Sequence, residues 1–119
     1  MSWQIAISEA AERNTHASIL VLLVLKDYLE SSDGRWPKSW DDLLMAEKRQ
    51  WAMYRWPEDS AEVILRVDLK FETSSKSVCR MSSNDFTAIA PKGPYYPEPC
   101  KPFVEELIST ACRFDSIRN

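Results

Sequence analysis

The chain has 119 residues, of which 45% are hydrophobic and 28% are charged, and its formal net charge is −3. This balance predicts one globular domain over residues 1–119, long enough to bury a core. No run of like charge exceeds two residues, so no basic footprint for nucleic acid is present. The longest uncharged apolar run, residues 17–25, is much shorter than the ~20 residues of a helical bilayer crossing, and no membrane span is predicted.

The first predicted helix runs from Ser8 to Ser31 or Ser32. Ser8 can cap it, and glutamates follow in its first turn. Its middle, residues 17–25, is apolar on every face and must therefore be covered on most sides. The sequence Ser-Ser-Asp-Gly ending at Gly34 predicts where the helix stops. We expect this helix to be the central element of the fold.

A second, short helix is predicted to begin near Ser39. The Ser39 side chain can cap the amide of Asp42, and the Asp42 carboxylate can return the bond, as in a capping box. Pro37 sets the approach to this helix, and Trp40 and Leu43 are expected on its inner side. Together with the preceding turn, this start predicts that the second helix folds back on the first.

Residues 61–72 show the clearest strand pattern in the sequence. Val63, Leu65, Val67 and Leu69 alternate with charged or outward-facing residues, which predicts one buried face and one solvated face. Residues 78–81 are a candidate second strand and residues 86–90 a third. Because the connections between these segments are too short for crossovers, antiparallel pairing is predicted.

A proline-rich loop, residues 91–102, precedes the last predicted helix, which has Pro102 in its first turn. Pro91, Pro94 and Pro97 are spaced by three, the repeat of a polyproline II helix, so the loop serves either as a ligand for a PxxP-reading module or as a stiff connector. The predicted fold class is α+β. A long N-terminal helix and a second short helix pack on a small antiparallel sheet, and a C-terminal helix follows.

The turn after the first helix resembles that of type IV pilins and type II secretion pseudopilins. Tyr28, Gly34, Trp36 and Pro37 match the pattern Tyr-x5-Gly-x-aromatic-Pro within residues 17–44. The resemblance implies a long helix packed on a small antiparallel sheet. The chain shows neither a prepilin leader nor the membrane half of that family's helix, so a conventional filament subunit is not expected. A shared fold does not by itself imply function.

The candidate catalytic chemistry rests on one histidine and three cysteines. His16 could act with Cys79, Cys100, Cys112 or carboxylates in a small hydrolase or metal-dependent enzyme. The cysteines are too widely spaced for the close pairs of structural zinc sites. Their odd number and the lack of an export signal predict free thiols and a cytoplasmic protein. No catalytic, cofactor-binding or metal-binding residue is therefore predicted.

Aromatic side chains are the candidate binding residues. Trp36 and Trp40 are predicted to pack against the first helix, whereas Trp56 beside a polar break is predicted to be exposed. The preferred function is a non-catalytic interaction module that binds a protein partner, and self-association is a second option. The partner-binding residues assigned on this basis are Tyr54, Trp56, Tyr95 and Tyr96.

Overall fold

The computed structural model of the chain describes residues 3–46 and 60–118. These residues form, in chain order, α1 (Trp3–Ser31), α2 (Trp40–Ala46), α3 (Ser60–Arg66), β1 (Val67–Leu69), α4 (Ser75–Cys79), β2 (Ile89–Pro91) and α5 (Pro97–Arg118). α5 packs against α1 and α4, and β1 and β2 form an antiparallel pair beside α1. The predicted α+β class and its main elements are confirmed.

α1 is the central element, as predicted. It spans 29 residues and contacts α2, α3, both strands and α5. Its apolar segment is covered on most sides, and burying these side chains is the main source of stability for such a fold. Over residues 3–46 and 60–118, no helix has both the length and the apolar content that crossing a membrane would require. The buried apolar residues of α1 are Ala11, Ala17, Leu20, Val21, Leu22, Val24, Leu25 and Leu29.

α1 ends at the predicted stop signal through a left-handed turn. Asp33 has φ 61° and Gly34 has φ 84°. The Ser32 amide donates to the Tyr28 carbonyl, and the Gly34 amide donates to the Leu29 carbonyl, both at 2.8 Å. These bonds satisfy carbonyls that the helix end would otherwise leave without partners. The turn therefore fixes the direction in which the chain leaves α1.

Gly34→Ala is expected to lower the free energy of unfolding by about 2–4 kcal/mol, because it adds left-handed strain to a steric clash. A Cβ atom at this position would lie 2.6 Å from Cβ of Phe114 on α5. Urea denaturation measures the loss. Gly93→Ala is the matched control, since its new Cβ would meet only the amide nitrogen of the Asn14 side chain, at 2.9 Å. A loss at position 34 no larger than that at position 93 would contradict this account of the turn.

The turn places two tryptophans against the fold. Trp36 is 8% exposed, and its indole Nε1–H donates to the Lys70 carbonyl at 2.7 Å. Trp40 is half-buried, with its ring centroid 5.8 Å from that of Phe71 in an edge-to-face arrangement. Both rings pack against the core, as predicted. Trp36 also joins the turn to the chain just after β1.

The cap of α2 is only partly as predicted. The Asp42 amide donates to Oγ of Ser39 at 3.3 Å, which confirms the first half of the capping box. The Asp42 carboxylate accepts from the Lys38 amide at 3.0 Å instead of from Ser39. The Asp42 carboxylate thus bonds to the amide one residue before Ser39, and the helix start remains anchored to the turn.

The prediction of a strand over residues 61–72 is wrong for its first half. Residues up to Arg66 form α3, and only Val67–Leu69 form a strand. Glu62 and Arg66 lie one helical turn apart, with an N–O distance of 3.8 Å that supports the helix. Val63 is buried but Leu65 is 69% exposed, because helical rotation separates two side chains that a strand would place on one face.

The sheet of the described residues has two strands rather than the three predicted. Residues 78–81 do not form a strand, because α4 covers Ser75–Cys79 and is capped by Ser74, whose side chain accepts from the Ser77 amide. β2 overlaps the last candidate strand but is shifted to Ile89–Pro91. The antiparallel pairing is confirmed, and its register places Val67 opposite Pro91 and Leu69 opposite Ile89.

The prediction of three free thiols is wrong. Cys79 at the end of α4 and Cys112 on α5 form a disulfide with a Cα–Cα distance of 4.7 Å. The two helices pack against each other, which brings together cysteines that the sequence separates by 33 residues. Cys100 remains a free, buried thiol. The pairing depends on tertiary packing and has no signature in the local sequence.

α5 begins earlier than predicted. It starts at Pro97, and Pro102 lies inside the helix rather than in its first turn. Pro97 suits the first helical position, where no amide donor is needed. With Pro91 in β2 and Pro97 in α5, residues 91–97 are a connector rather than a polyproline helix. The inner face of α5 carries the buried side chains of Val104, Leu107 and Ala111.

Lys26 links the two long helices on their outer side. Its ammonium group forms an ion pair with Glu106 of α5 and lies 3.9 Å from Glu30. The hydrogen bond to Glu106 raises the pKa of Lys26. Because the folded-state pKa is raised, the contribution of this lysine to stability is present at neutral pH and is lost as the pH rises through that pKa.

Candidate functional site

The connection between β2 and α5 exposes two adjacent tyrosines. Tyr95 is 41% and Tyr96 is 46% exposed, and among the described residues only Leu65 joins them as a large hydrophobic side chain with comparable exposure. We refer to residues 93–97 as the tyrosine loop. These two residues were among the binding residues predicted from the sequence. Tyr54 and Trp56, predicted with them, lie outside the described residues.

The backbone of the tyrosine loop is held on both sides of Tyr95. The Asn14 side-chain amide donates to the Pro94 carbonyl at 2.9 Å. The Tyr96 amide donates to Oγ1 of Thr15 at 2.7 Å. Both anchors come from α1, and they satisfy loop groups that would otherwise need water. The loop is therefore exposed in its side chains but fixed in its backbone.

The anchoring residues form a buried polar cluster on α1. Asn14, Thr15 and Ser18 are each at most 6% exposed. The Asn14 side-chain oxygen Oδ1 accepts from Arg66 Nη1 at 3.1 Å. The hydroxyls of Thr15 and Ser18 donate to the backbone carbonyls one turn earlier, at 2.7 and 2.8 Å. Because its side chains are hydrogen-bonded to Arg66, to the loop backbone and to carbonyls of α1, the cluster can be buried without a large penalty and holds one geometry.

Gly93 allows the loop to approach α1 closely. A Cβ atom there would lie 2.9 Å from the amide nitrogen of the Asn14 side chain. The absence of a side chain at this position therefore leaves room for the Asn14 anchor. Sequence reasoning missed this role, and it also missed Asn14 and Thr15. The only signal was the pair of polar residues just before the apolar segment of α1.

A small cleft of about 200 Å³ adjoins the tyrosine loop. It lies between α1, the segment before β2 and the first turns of α5. Its wall combines aromatic and aliphatic side chains with hydroxyl, amide and amine groups. Tyr95 forms part of this wall, so one of the two exposed rings is also a side of the cleft. The lining residues that define it are Ser18, Asn84, Phe86, Tyr95, Cys100 and Lys101.

Cys100 lies at the inner wall of this cleft and is 6% exposed. Its Sγ atom lies 3.7 Å from the Tyr96 carbonyl and 4.0 Å from the Thr15 carbonyl. Burial raises the pKa of the Cys100 thiol. The thiol is therefore protonated at neutral pH, which makes it a poor nucleophile and a weak hydrogen-bond donor to the loop. Its position is that of a packing residue beneath the tyrosine loop.

The residues of the alternative enzyme site lie on three helices, with His16 on α1, Cys79 on α4, and Cys100 and Cys112 on α5. His16 is half-buried on α1 and does not line the small cleft. Cys79 and Cys112 are joined in the disulfide, so two of the three candidate thiols have no thiolate to offer. In residues 3–46 and 60–118, no group of three or more histidine, cysteine, aspartate or glutamate side chains is placed to hold a metal ion.

Comparisons with models of protein families, with curated proteins and with solved structures give no match.

Proposed function

We propose that the protein is a non-catalytic interaction module that binds a protein partner through the tyrosine loop. The observation that carries the proposal is the contrast within this loop. Tyr95 and Tyr96 are exposed, whereas the backbone on either side of Tyr95 is hydrogen-bonded to Asn14 and Thr15. The loop thus presents two aromatic rings from an ordered backbone.

Such an arrangement lowers the entropy lost on binding. Association must immobilise loops and side chains at the interface, and a loop that is already ordered loses less conformational freedom. Tyrosine adds a large amphipathic contact surface with only two side-chain torsions to fix. It is also among the residues that dominate binding energy in measured interfaces. Two adjacent tyrosines on a fixed loop are therefore suited to be the centre of a contact.

The size of the adjoining cleft favours a protein partner over a small ligand. Sites for small molecules usually enclose roughly 300–1,000 Å³, and this cleft has about 200 Å³. It can accept a single side chain of a partner whose main chain passes over Tyr95 and Tyr96. The hydroxyl and amide groups of Ser18 and Asn84 in its wall can orient that side chain.

The test is selection of peptides from a random library against the wild-type protein, followed by titration with variants. We expect Tyr95→Ala and Tyr96→Ala together to weaken the selected peptides by about 30-fold or more, the level of an interface hot spot. The free energy of unfolding should change by less than about 0.5 kcal/mol, because both side chains are exposed.

Leu65→Ala is the matched control, since Leu65 is the other highly exposed apolar residue and lies on α3. It should leave the affinity unchanged. Asn14→Ala keeps both tyrosines in the sequence but removes the hydrogen bond to the Pro94 carbonyl. It should weaken binding because the loop backbone is then less ordered. Selected peptides that keep their affinity for the double tyrosine variant would overturn the proposal.

The sequence predicted a cytoplasmic protein. We further infer that the protein instead resides in an oxidising compartment. The Cys79–Cys112 disulfide supports this placement, since such bonds persist in oxidising compartments and are rare in the cytosol. Alkylation of thiols in intact cells before lysis tests it. Recovery of Cys79 and Cys112 as alkylated thiols would contradict this inference and support a cytoplasmic location.

The resemblance to pilins and pseudopilins enters this proposal only as architecture. We infer that the turn after α1 has the same role as in that family, which is to direct the chain from a long helix towards a small sheet. Trp36 and Pro37, which follow Gly34 in the chain, are buried, and this supports the same role. A solution structure in which this turn is separated from the sheet would overturn it.

A further inference from the structure

A second cleft lies on a different part of the molecule, between the turn after α1 and the segment after β1. It is open to solvent and has a volume of about 570 Å³. None of the tyrosine loop contributes to it. We refer to it as the basic cleft, and its lining residues are Gly34, Arg35, Trp36, Lys38, Phe71, Thr73, Ser74, Ser75, Lys76 and Phe114.

The charges of the basic cleft have one sign. Its lining contains Arg35, Lys38 and Lys76 and no aspartate or glutamate, although the chain as a whole carries a net charge of −3. Lys38 also lines an adjoining shallow depression, together with Lys70 and Glu72. The local field is therefore positive on a protein whose overall charge is negative.

The cations of this cleft differ in their pairing from five of the other described basic residues. Elsewhere, five described basic residues lie within 4.0 Å of a carboxylate oxygen: Lys26, Arg66, Lys92, Lys101 and Arg113. Among the described ion pairs, none involves Arg35, Lys38 or Lys76. Asp42, the carboxylate next to Lys38 on α2, accepts from the Lys38 backbone amide at 3.0 Å. The three charged groups thus remain available to a ligand.

The walls of the basic cleft are fixed. The Ser75 hydroxyl donates to the Gly34 carbonyl at 2.5 Å, and the Trp36 indole donates to the Lys70 carbonyl at 2.7 Å. These two bonds join the opposite sides of the cleft. The rings of Trp36, Phe71 and Phe114 contribute an apolar surface between the charged groups. The cleft therefore combines a preformed aromatic base with a cationic rim.

We propose that the basic cleft binds an acidic peptide segment of a protein partner. Carboxylates of the segment pair with Arg35, Lys38 and Lys76, and an apolar side chain of the segment packs on Phe71 and Phe114. Charge complementarity of this kind speeds encounter and selects the partner, and clusters of basic side chains are a recurrent means of recognising acidic motifs. This site is independent of the tyrosine loop.

The experiment is fluorescence-anisotropy titration of the full chain with a labelled peptide of alternating glutamate and aspartate around one leucine. Its counterpart with glutamine and asparagine is the uncharged probe. We expect the acidic peptide to bind and the uncharged probe to bind at least tenfold more weakly. Raising the ionic strength from about 0.1 to about 1 M should weaken the acidic peptide severalfold, because the screening length falls from about 10 to about 3 Å.

Arg35→Gln/Lys38→Gln/Lys76→Gln is expected to weaken the acidic peptide at least tenfold. The matched control, Lys26→Gln/Arg80→Gln/Lys92→Gln, removes the same net charge from residues that line neither cleft and should retain the affinity. Equal effects of the two triple variants would show that binding depends on net charge alone, and the proposal of a specific site would then be wrong. Tighter binding of a single-stranded oligonucleotide than of the peptide would overturn the assignment of an acidic peptide.

Variants of the other site separate this inference from the proposed function. Tyr95→Ala/Tyr96→Ala should leave binding of the acidic peptide unchanged, since neither residue lines the basic cleft. Loss of the acidic peptide in this double variant would show that the two surfaces are one site and would contradict the inference. Folding of every variant is checked by its urea transition.

Discussion

Leu25→Asp is expected to prevent the chain from folding. Leu25 lies in the apolar segment of α1 and is fully buried, so a carboxylate there would have neither a partner nor contact with water. The loss would be comparable to the roughly 5–15 kcal/mol that stabilises a typical domain. Circular dichroism at increasing temperature should show no cooperative transition. Leu25→Ala, which leaves a cavity but no charge, should fold with a loss of about 2–5 kcal/mol.

Leu65→Asp is the control for this substitution. Leu65 is 69% exposed on α3, so the same change of side chain should alter the free energy of unfolding by less than about 0.5 kcal/mol. A cooperative transition for Leu25→Asp within a few degrees of the wild type would mean that α1 is not covered. The fold described above would then be wrong at its centre.

Cys79→Ser/Cys112→Ser is expected to lower the free energy of unfolding by about 3–4 kcal/mol. The disulfide closes a loop between residues separated by 33 positions, and loop-closure entropy for a loop of this length gives that magnitude. Without the bond, the unfolded chain gains freedom while the folded state loses its covalent link between α4 and α5. Urea denaturation of the oxidised wild type and of the variant measures the difference.

Cys100→Ala controls for the loss of a thiol without loss of the bond, because Cys100 is not in a disulfide. A reducing agent should destabilise the wild type and Cys100→Ala by similar amounts and leave the double serine variant unchanged. If the reducing agent leaves the wild-type transition where it was, the bond does not contribute to stability.

The central helix and its end could be predicted because their signals are local. An apolar segment such as residues 17–25 must be covered wherever it lies, and Gly34 is suited to a left-handed turn in any context. The capping serine Ser39 acts within its own turn of the chain. Elements of this kind depend on nearby residues only, so one sequence is enough to locate them.

The strand prediction failed in a segment whose apolar residues fit both the period of a strand and that of a helix. In residues 61–72, alternate apolar residues predicted one long strand, but Val63 packs in the core as part of α3. A segment of about two helical turns gives too little sequence to separate the two periods. Packing of α3 against α1 decides the outcome, and that contact is not visible in the local pattern. From Val67 onwards the predicted alternation of burial is kept, although only Val67 to Leu69 form the strand.

The candidate sites also contain some residues that the sequence alone could suggest and others that only the folded structure brings together. Tyr95 and Tyr96 were named as candidates by residue type, and the structure shows that both are exposed. Their anchors, Asn14 and Thr15, lie about 80 positions away in the chain, so only the folded structure connects them. The basic cleft was missed for the same reason. Arg35, Lys38 and Lys76 form no run of charge in the sequence and meet only when the turn after α1 packs beside α4.

The disulfide also sets how far the chain can be extended by force. Cys79 and Cys112 enclose β2, the tyrosine loop and most of α5 in one covalent ring. At about 3.3–3.6 Å per residue, the 33-position separation withholds roughly 110 Å of contour length from a chain pulled at its ends. Tension therefore passes across the ring through the bond between α4 and α5. The backbone of the tyrosine loop lies inside this ring and is not extended when the rest of the chain is drawn out.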